Sequence, residues 1–410
     1  MTTGQKELPA GWKWVKLGDV CLKNGLVRGP FGGSLKKEIF VSSGYMVYEQ
    51  SHAISGNLLE GRYFVTEAKY KEMERFQVQP SDLLMSCSGT IGKIAVVPEE
   101  APQGIINQAL LKIRIDPEIC RTEYIKYFLE SDNFYRVVTG TAVGTAMVNV
   151  SSVGTLKSIP IPLPPLEEQK RIAGILNKAE EIKKLREEAD KKTEELIPAI
   201  FHEMVGSRIK KGEELPDGWK WVKLGDVCHF TGGSSLPDNE DCPEKDRVYL
   251  LKVSGLTQNF CDGKYLTRAT GYTSRSTLRN RVVESPAIVF PKRGGAIAKN
   301  RKVMTSIPTA LDPNLMAIDT HGNNGAHLEY LYWWLNSFDL SSIQTGTTVP
   351  QINRQDLAPL SIPLPPLEEQ KRISDRLNEA EEIKKTNEES NKKIEELQSS
   401  LLQRAFRGEL

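Results

Sequence analysis

No run of the sequence approaches the ~20 consecutive apolar residues that a bilayer-spanning helix needs. The opening segment, MTTGQKELPAGW, is polar and has no apolar stretch of the secretory kind. The expectation is a soluble, cytoplasmic protein with no membrane partner. Cysteine is scarce: Cys21, Cys87, Cys120, Cys228, Cys242 and Cys261 show no C-x-x-C spacing. Neither a zinc site nor a disulfide framework is indicated, and no metal ligand is assigned. The five histidines, His52, His202, His229, His321 and His327, form no HExxH or HNH pattern and read as structural or surface residues. A glycine-rich stretch at residues 25–35, GLVRGPFGGSL, lacks the GxxxxGK[ST] spacing. It reads as a mobile surface loop rather than a phosphate cradle. Charge of one sign is also lacking: 54 Lys and Arg oppose 53 Asp and Glu, for a net charge of +1. The balance by itself announces no polyanionic partner.

What is there, above all, is repetition. IPLPPLEEQKRI at residues 161–172 returns unchanged at 362–373, and LPAGWKWVKLGDVC at 8–21 returns at 215–228 with one substitution in fourteen positions. A tandem duplication of one unit, a globular segment followed by a helix, fixes the organisation. A chain of 410 residues suggests two or three domains at about 150 residues each. The repeat divides it into a globular domain at 1–162, a helix at 163–205, a second domain at 206–363 and a second helix at 364–410.

Within the first domain, residues 8–22 read as a short strand or helix start carrying Trp12 and Trp14. Strand-like stretches lie at 44–49, 82–86, 93–97 and 110–115, with a turn at 88–92. Residues 123–131 have helical spacing and place Tyr124, Tyr127 and Phe128 on one face. That stripe reads as core rather than a base-stacking platform. Residues 140–150 read as a loop leading to the last strand, and the proline-rich run 159–165 is expected to stop regular structure. The class is mixed α/β (α+β).

Pro165 suits a helix start, and the apolar period that follows is clean. Taking Ile172 as an a position puts Ala179, Arg186, Thr193 and Ile200 at a, and Ile175, Ile182, Ala189, Leu196 and Glu203 at d. In the second copy a holds Ile373, Ala380, Asn387, Ile394 and Leu401, and d holds Arg376, Ile383, Ser390, Leu397 and Arg404. Two matched seams argue for a coiled coil with a polar middle that fixes register. Pro198 should end or kink the first helix near Ile197. About 39 residues of helix span roughly 58 Å, against about 34–36 Å for one turn of duplex DNA.

The charge is unevenly spread. Residues 268–302 contain nine basic residues and one acid, Glu284, whereas residues 166–204 contain ten acids and eight bases. A basic globular surface therefore sits beside a near-neutral helical part, slightly acidic on balance. The closing Gly408-Glu409-Leu410 is what would precede another Leu-Pro-x-Gly-Trp start. That continuity predicts termini close together, a pseudo-two-fold arrangement and antiparallel helices. The repeat borders are nearly identical while the interiors, 22–157 and 229–360, share only weak echoes. Such divergence fits two like modules that each read a different target.

These features resemble the specificity subunit of type I restriction–modification systems. The resemblance rests on the Leu-Pro-x-Gly-Trp domain starts, the Gly-Thr-Ile-Gly-Lys turn at 89–93, Asn107-Gln108 ahead of a strand, and Pro-Leu-Pro-Pro-Leu-Glu-Glu-Gln-Lys-Arg-Ile before each helix. It covers essentially the whole chain. The second domain departs at residues 293–302, which replace the Gly-Thr-Ile-Gly-Lys turn. The resemblance implies two target-recognition domains, each reading half of a bipartite site in double-stranded DNA. It implies an antiparallel coiled coil that sets the spacer, and two docked methyltransferase (modification) subunits that recruit restriction subunits. S-adenosylmethionine, ATP and Mg²⁺ would belong to those partners.

The residues agree that this chain is not itself the enzyme. The Pro-Pro pairs 164–165 and 365–366 are flanked by Leu, not set in an [NDS]-P-P-[YF] loop, and no Rossmann glycine turn is present. Pro237-Asp238 lacks a following Glu-x-Lys, and triplets such as Glu181-Ile182-Lys183 lie on the charged helix. No catalytic residue is assigned. Candidates for DNA contact are residues that neutralise phosphate or pair with bases: Arg28, Lys36, Lys37, Lys93 and Gln108 in the first domain. In the second they are Arg275, Arg293, Lys299, Arg301, Gln351, Asn353 and Arg354. Candidates for partner docking keep identity across the repeats: Trp12, Trp14, Leu166, Gln169, Trp219, Trp221, Leu367 and Gln370. The competing reading is a DNA-independent coiled-coil adaptor joining two protein-binding modules. A fused enzyme is a third.

Overall fold

A computed structural model describes residues 8–139, 152–209, 214–256, 260–278, 281–320, 325–346 and 348–410. It forms two units, Met1–Leu185 with Lys392–Leu410, and Arg186–Asn391. The first unit runs β1 (Lys13–Lys16), β2 (Cys21–Arg28), β3 (Tyr45–Tyr48), α1 (Gln50–Ser55), β4 (Phe64–Val65), α2 (Glu67–Glu72), β5 (Gln77–Val78), β6 (Leu83–Ser86), β7 (Ile94–Val96), β8 (Gly104–Ile106) and β9 (Leu110–Ile115). It continues through α3 (Thr122–Leu129), α4 (Asp132–Thr139), α5 (Val153–Lys157) and β10 (Pro160–Leu163) into α6 (Leu166–Met204).

Two four-stranded sheets result, β2-β9-β6-β7 and β4-β3-β8-β5. β9 matches the expected 110–115: Leu111, Ile113 and Ile115 alternate with Lys112 and Arg114, and the strand is held between two antiparallel neighbours. The second sheet is built from short strands that carry no readable period. Its parallel pair β3–β8 joins segments more than fifty residues apart. The aromatic stripe of α3 is core: Tyr124, Tyr127 and Phe128 are buried.

Two expectations fail here. Residues 25–28 are not loop but the end of β2, which resumes pairing with β9 after an irregularity between Cys21 and Leu26. Glycine is needed at 25 because a Cβ would lie 2.5 Å from the Arg114 carbonyl oxygen. The proline run does not stop regular structure either. Pro160–Leu163 pairs antiparallel with β1, and because that ribbon has only two strands, its outer edge tolerates prolines that cannot donate. The expected loop at 140–150 lies outside the described residues.

The second unit repeats the plan with β11 (Lys220–Lys223), α7 (Leu224–Val227), β12 (His229–Gly232), β13 (Arg247–Leu251), β14 (Cys261–Asp262), β15 (Tyr265–Leu266), β16 (Gly271–Ser274), α8 (Arg275–Leu278), β17 (Ile288–Pro291), β18 (Val303–Thr305), β19 (Thr309–Leu311) and β20 (Leu315–Asp319). Then come α9 (Leu328–Ser337), α10 (Arg354–Leu357), β21 (Ser361–Leu364) and α11 (Leu367–Ala405). Its larger sheet, β12-β20-β17-β18-β15-β14, begins with the order of β2-β9-β6-β7 and adds a hairpin. The smaller one, β16-β13-β19, matches β4-β3-β8, including the parallel pair.

In each unit the start of one long helix packs with the end of the other. Ile172 and Leu176 share a core with Ala405, against which Leu401, Leu402 and Phe406 pack. Ile373 and Leu377 share one with Val205, against which Ile197, Ile200 and Phe201 pack. The helices are therefore antiparallel. Pro198 does not end the first: α6 runs on to Met204. Its packing against the second core holds a helix that propensity alone would break.

The seam is shifted from the expected one. The expected a positions are half-buried or buried, but the other row lies four residues on: Leu176, Lys183, Asp190, Ile197 and Met204, with Leu377, Lys384, Asn391, Gln398 and Ala405. Of the expected d residues, Ile182, Ile383 and Leu397 are 54%, 51% and 57% exposed. The seam centre in the second unit is polar. Arg186 pairs with Asp190 at 3.3 Å, the Asn387 amide donates to Thr193 Oγ1 at 3.0 Å, and the Asn391 amide donates to Asp190. Such contacts specify register at a cost in stability.

Candidate nucleic-acid interface

Each domain is fastened to its own helix by residues that the repeat preserves. Gln169 is fully buried. Its Nε2 donates to the carbonyls of Pro164 (2.9 Å) and Ile119 (3.3 Å), and its Oε1 accepts from the Arg121 amide at 2.8 Å. Gln370 does the same with Pro365 (2.8 Å), Gly325 (2.9 Å) and the His327 amide (2.7 Å). Tyr124 and Tyr330 donate to the carbonyls of Pro162 (2.6 Å) and Pro363 (2.5 Å). Gln169 and Gln370 are thus no docking surface. A buried amide must be satisfied, and both spend theirs inside the unit. Trp219 is buried as well, with Nε1 donating to Glu369 at 2.8 Å, and Trp12 packs on the first core. Trp14, Trp221 and Leu367 are 38%, 53% and 40% exposed, while Leu166 is half-buried. Trp14 lines a cleft of about 820 Å³ with Phe128, Arg136, Leu402 and Phe406.

In the first domain, strand ends and turns gather at one edge. The Gly29 amide donates to Leu110 at 2.9 Å, and the Cys87 amide to Ala109 at 2.8 Å. A Cβ on Gly29 would fall 1.8 Å from the Asn107 carbonyl oxygen, so only glycine permits this approach. The end of β2, the β6–β7 turn and the β8–β9 turn therefore meet. They bring Arg28, Gln108 and Lys93 to one region. Arg28 stacks over Phe31, its guanidinium carbon 5.6 Å from the ring centroid. Burial pushes the Cys87 thiol up to about 11, and the Arg28 charge opposes that rise. Gln108 and Lys93 are exposed, as are Lys36 and Lys37 further along the chain. The β6–β7 turn is held by Ser86 Oγ, which donates to Thr90 (2.6 Å) and accepts from the Lys93 amide (3.0 Å).

The second domain rebuilds this edge with other side chains. Gly233 donates to Leu315 at 2.9 Å, and a Cβ there would lie 1.7 Å from the Asp312 carbonyl oxygen. Asp312 Oδ1 accepts from the Asn314 amide at 2.7 Å, as Asn107 Oδ1 accepts from Ala109 at 3.0 Å. The alignment of edges pairs Arg28 with Gly232, Phe31 with Ser235 and Gln108 with Pro313. Beside it, Arg293 and Gln351 form an isolated β-bridge, Gly294 donates to Pro350 at 2.8 Å and Ile352 to Lys292 at 2.8 Å. Arg354 lies over Phe230, 5.9 Å from the centroid. Asn353 starts α10, its amide donating to Asp356 at 2.7 Å. Arg293, Gln351, Asn353 and Arg354 are therefore brought together. Lys299 is exposed at the end of a short 3-10 turn in the β17–β18 connection.

Two of the named basic residues belong elsewhere. Arg275 is held by Glu284, with one arm at 3.2 Å. Arg301 bonds to Cys261, where it opposes the rise that burial imposes on the thiol. Nor is the basic run 268–302 one surface: Lys302 is 4% exposed and donates to Asn300 (2.7 Å) and the Phe338 carbonyl (2.9 Å). Sequence reasoning missed Phe31, Phe230 and Lys292, because nothing local marks them. Phe230 and Lys292 meet Arg354 and Ile352 from a distant segment, and Phe31 is set out by the close approach of Gly29 to Asn107. Among the described residues no His, Cys, Asp and Glu cluster is suited to hold a metal, and no helix is long and apolar enough to cross a membrane.

A family described as the type I restriction modification DNA specificity domain matches residues 9–194 and again 216–396. The putative type I restriction enzyme MjaX specificity subunit of Methanocaldococcus jannaschii is 25% identical over 366 residues, spanning 85% of this chain and 82% of that protein. The EcoBI specificity subunit of Escherichia coli is 24% identical over 374 residues, spanning 82% and 75%. In fold, the chain is similar to the HsdS subunit from Thermoanaerobacter tengcongensis, with a TM-score of 0.52 and 24% identity over the whole of both chains. It is also similar to a chain from a structure of type I R-M system assembly, with a TM-score of 0.65, 22% identity and coverage of 99% and 100%. With that domain matched twice in tandem, each copy ending on its own long helix, the chain belongs to the type I restriction–modification DNA specificity family and is a DNA specificity subunit of that kind.

Proposed function

We propose that each globular domain reads one half of a bipartite sequence in double-stranded DNA through the edge formed by its β8–β9 or β19–β20 turn and the neighbouring strand ends. The observation that carries this reading is the pairing of those edges. The same glycine approach and the same Asx turn recur, while the side chains they present differ. A scaffold that keeps backbone and exchanges Gln108 for Pro313 suits two modules with different targets, because base identity is read by side chains. The exposed Lys36, Lys37 and Lys93, with Lys299 and Arg293, supply phosphate neutralisation.

The antiparallel helices hold the two half-sites at a set spacing. The exposed Trp14, Trp221 and Leu367 contribute to docking two methyltransferase subunits, which restriction subunits join in the full complex. The chain supplies recognition and no chemistry. S-adenosylmethionine, ATP and Mg²⁺ act on the partner subunits, in keeping with the absence of a methyltransferase or P-loop motif from the sequence.

The test is methylome sequencing of a methylation-free host expressing this chain with its methyltransferase subunit. Adenine methylation at one split motif, lost when this chain is omitted, is the expected result. An assembled complex that methylates nothing would instead favour the DNA-independent adaptor.

A further inference from the structure

Phe31 is 72% exposed, the highest value among the exposed large hydrophobic residues. Its backbone is tethered on both sides. On one side the Gly29 amide is bonded to Leu110, and the Gly29 Cα faces the Asn107 carbonyl too closely for any Cβ. Pro30 then fixes its own φ. On the other side the Phe31 carbonyl accepts from Ser34 Oγ at 3.3 Å. The ring stands out in solvent beside the edge that carries Gln108, and the Arg28 guanidinium lies over it. An apolar ring fixed in water gains nothing for the fold, because burial is what stabilises it.

We propose that Phe31 inserts into the base stack of the half-site read by the first domain, with Arg28 behind it meeting the phosphate or a base edge. The proposal rests on the reading of that domain as a DNA-recognition module. Apolar wedges of this type partly unstack a base step and are sequence-tolerant in affinity, but favour steps that unstack easily. The second domain has no wedge at this position: Ser235 is the equivalent of Phe31, and the next residue, Leu236, packs inward. The two half-sites are thus deformed differently, the first by insertion and the second not at all at this point.

The experiment uses the chain assembled with its methyltransferase subunits and duplexes carrying its methylated split site. 2-Aminopurine is placed in turn at each position of both halves. Wild type should brighten one step in the first half and none at the equivalent place in the second. Phe31→Ala should abolish that signal and weaken specific binding by about tenfold. The dependence of binding on salt should be unchanged, because no phosphate contact is lost. Phe31→Leu should restore part of the signal, and Ser235→Ala should change nothing. A docked methyltransferase flips its target adenine in either half, so absence from the first half of any brightening that Phe31→Ala removes, or binding by Phe31→Ala within twofold of wild type, would overturn the proposal. If wild type methylates no split site, the recognition reading has failed instead, so the two failures are distinct.

Discussion

The helix in each repeat presents the same asparagine and glutamate to its domain, Asn177 with Glu180 and Asn378 with Glu381, but the two domains answer them differently. In the first, Lys126 on α3 reaches Glu180 at 2.8 Å and Glu130 at 3.2 Å, and Tyr127 donates to Asn177 and Glu180. Burial opposes ionisation of Glu180, yet the bonds from Lys126 and Tyr127 hold its carboxyl below the ordinary value. In the second, α9 has Tyr332 and Trp333 where α3 has Lys126 and Tyr127, so it has no lysine to offer. The cation arrives from the turn before β15. Lys264 donates to Asn378, lies 3.6 Å from Glu329 and 3.8 Å from Glu381, and faces the rings of Tyr265, Tyr332 and Trp333. Burial carries the Glu381 carboxyl above its ordinary value despite Lys264. Duplication preserved the demand made by the helix. The diverged domain was free to meet it from any element that came within reach.

The largest effect should come from removing the deeper cation. Lys264 is 3% exposed, so Lys264→Met removes the cation that Glu329 and Glu381 share in a part-buried site and should cost about 3 kcal/mol. Lys126 keeps more solvent, and Lys126→Met should cost about 1 kcal/mol. Urea unfolding of both variants measures the difference, and equal losses would break the comparison. Next come the two glycines. Gly29→Ala and Gly233→Ala each place a methyl within 2 Å of a backbone carbonyl and should each cost about 2 kcal/mol. Methylation should lose specificity at the first half-site in one variant and at the second in the other. Unequal costs would show that the edges are not equivalent.

The smallest effect is a pH response. Burial lowers the Lys112 ammonium from 10.5 to about 8, and the Lys302 ammonium from 10.5 to about 7. Between the folded and unfolded values the unfolded chain binds more protons, so wild type gains stability as pH rises through that window. The thermal midpoint of wild type relative to Lys302→Met should therefore climb by a few degrees from about pH 7 towards 10. Relative to Lys112→Met the climb should begin only near pH 8. Parallel curves from pH 7 would remove this distinction between the domains.

Much of the frame is legible locally. The repeat announces two equivalent units, β9 is readable from apolar residues that alternate with Lys112 and Arg114, and the buried face of α3 is readable from its spacing. The coiled-coil register is not. Ile182, Ile383 and Leu397 mark one seam and are exposed, whereas the helices half-bury the row that includes Lys183, Asp190 and Asn391. Local periodicity finds an apolar stripe but does not know where the partner helix and the domain lie. The same holds for the candidate site. Residue type alone named Arg28 and Gln108 together with Arg275 and Arg301, and only the fold separates them.

The sequence by itself determined that the chain is a duplicated unit, where each helix begins, and which residues both copies share. Those are properties of identity and short-range spacing. The tertiary structure decided what the shared residues are for and which edge reads outward. Gln169 and Gln370 turn inward because their amides close the joint between domain and helix. Gly29 must be glycine because a carbonyl seventy-eight residues away presses against it, and contacts of that separation leave no periodic trace in the chain.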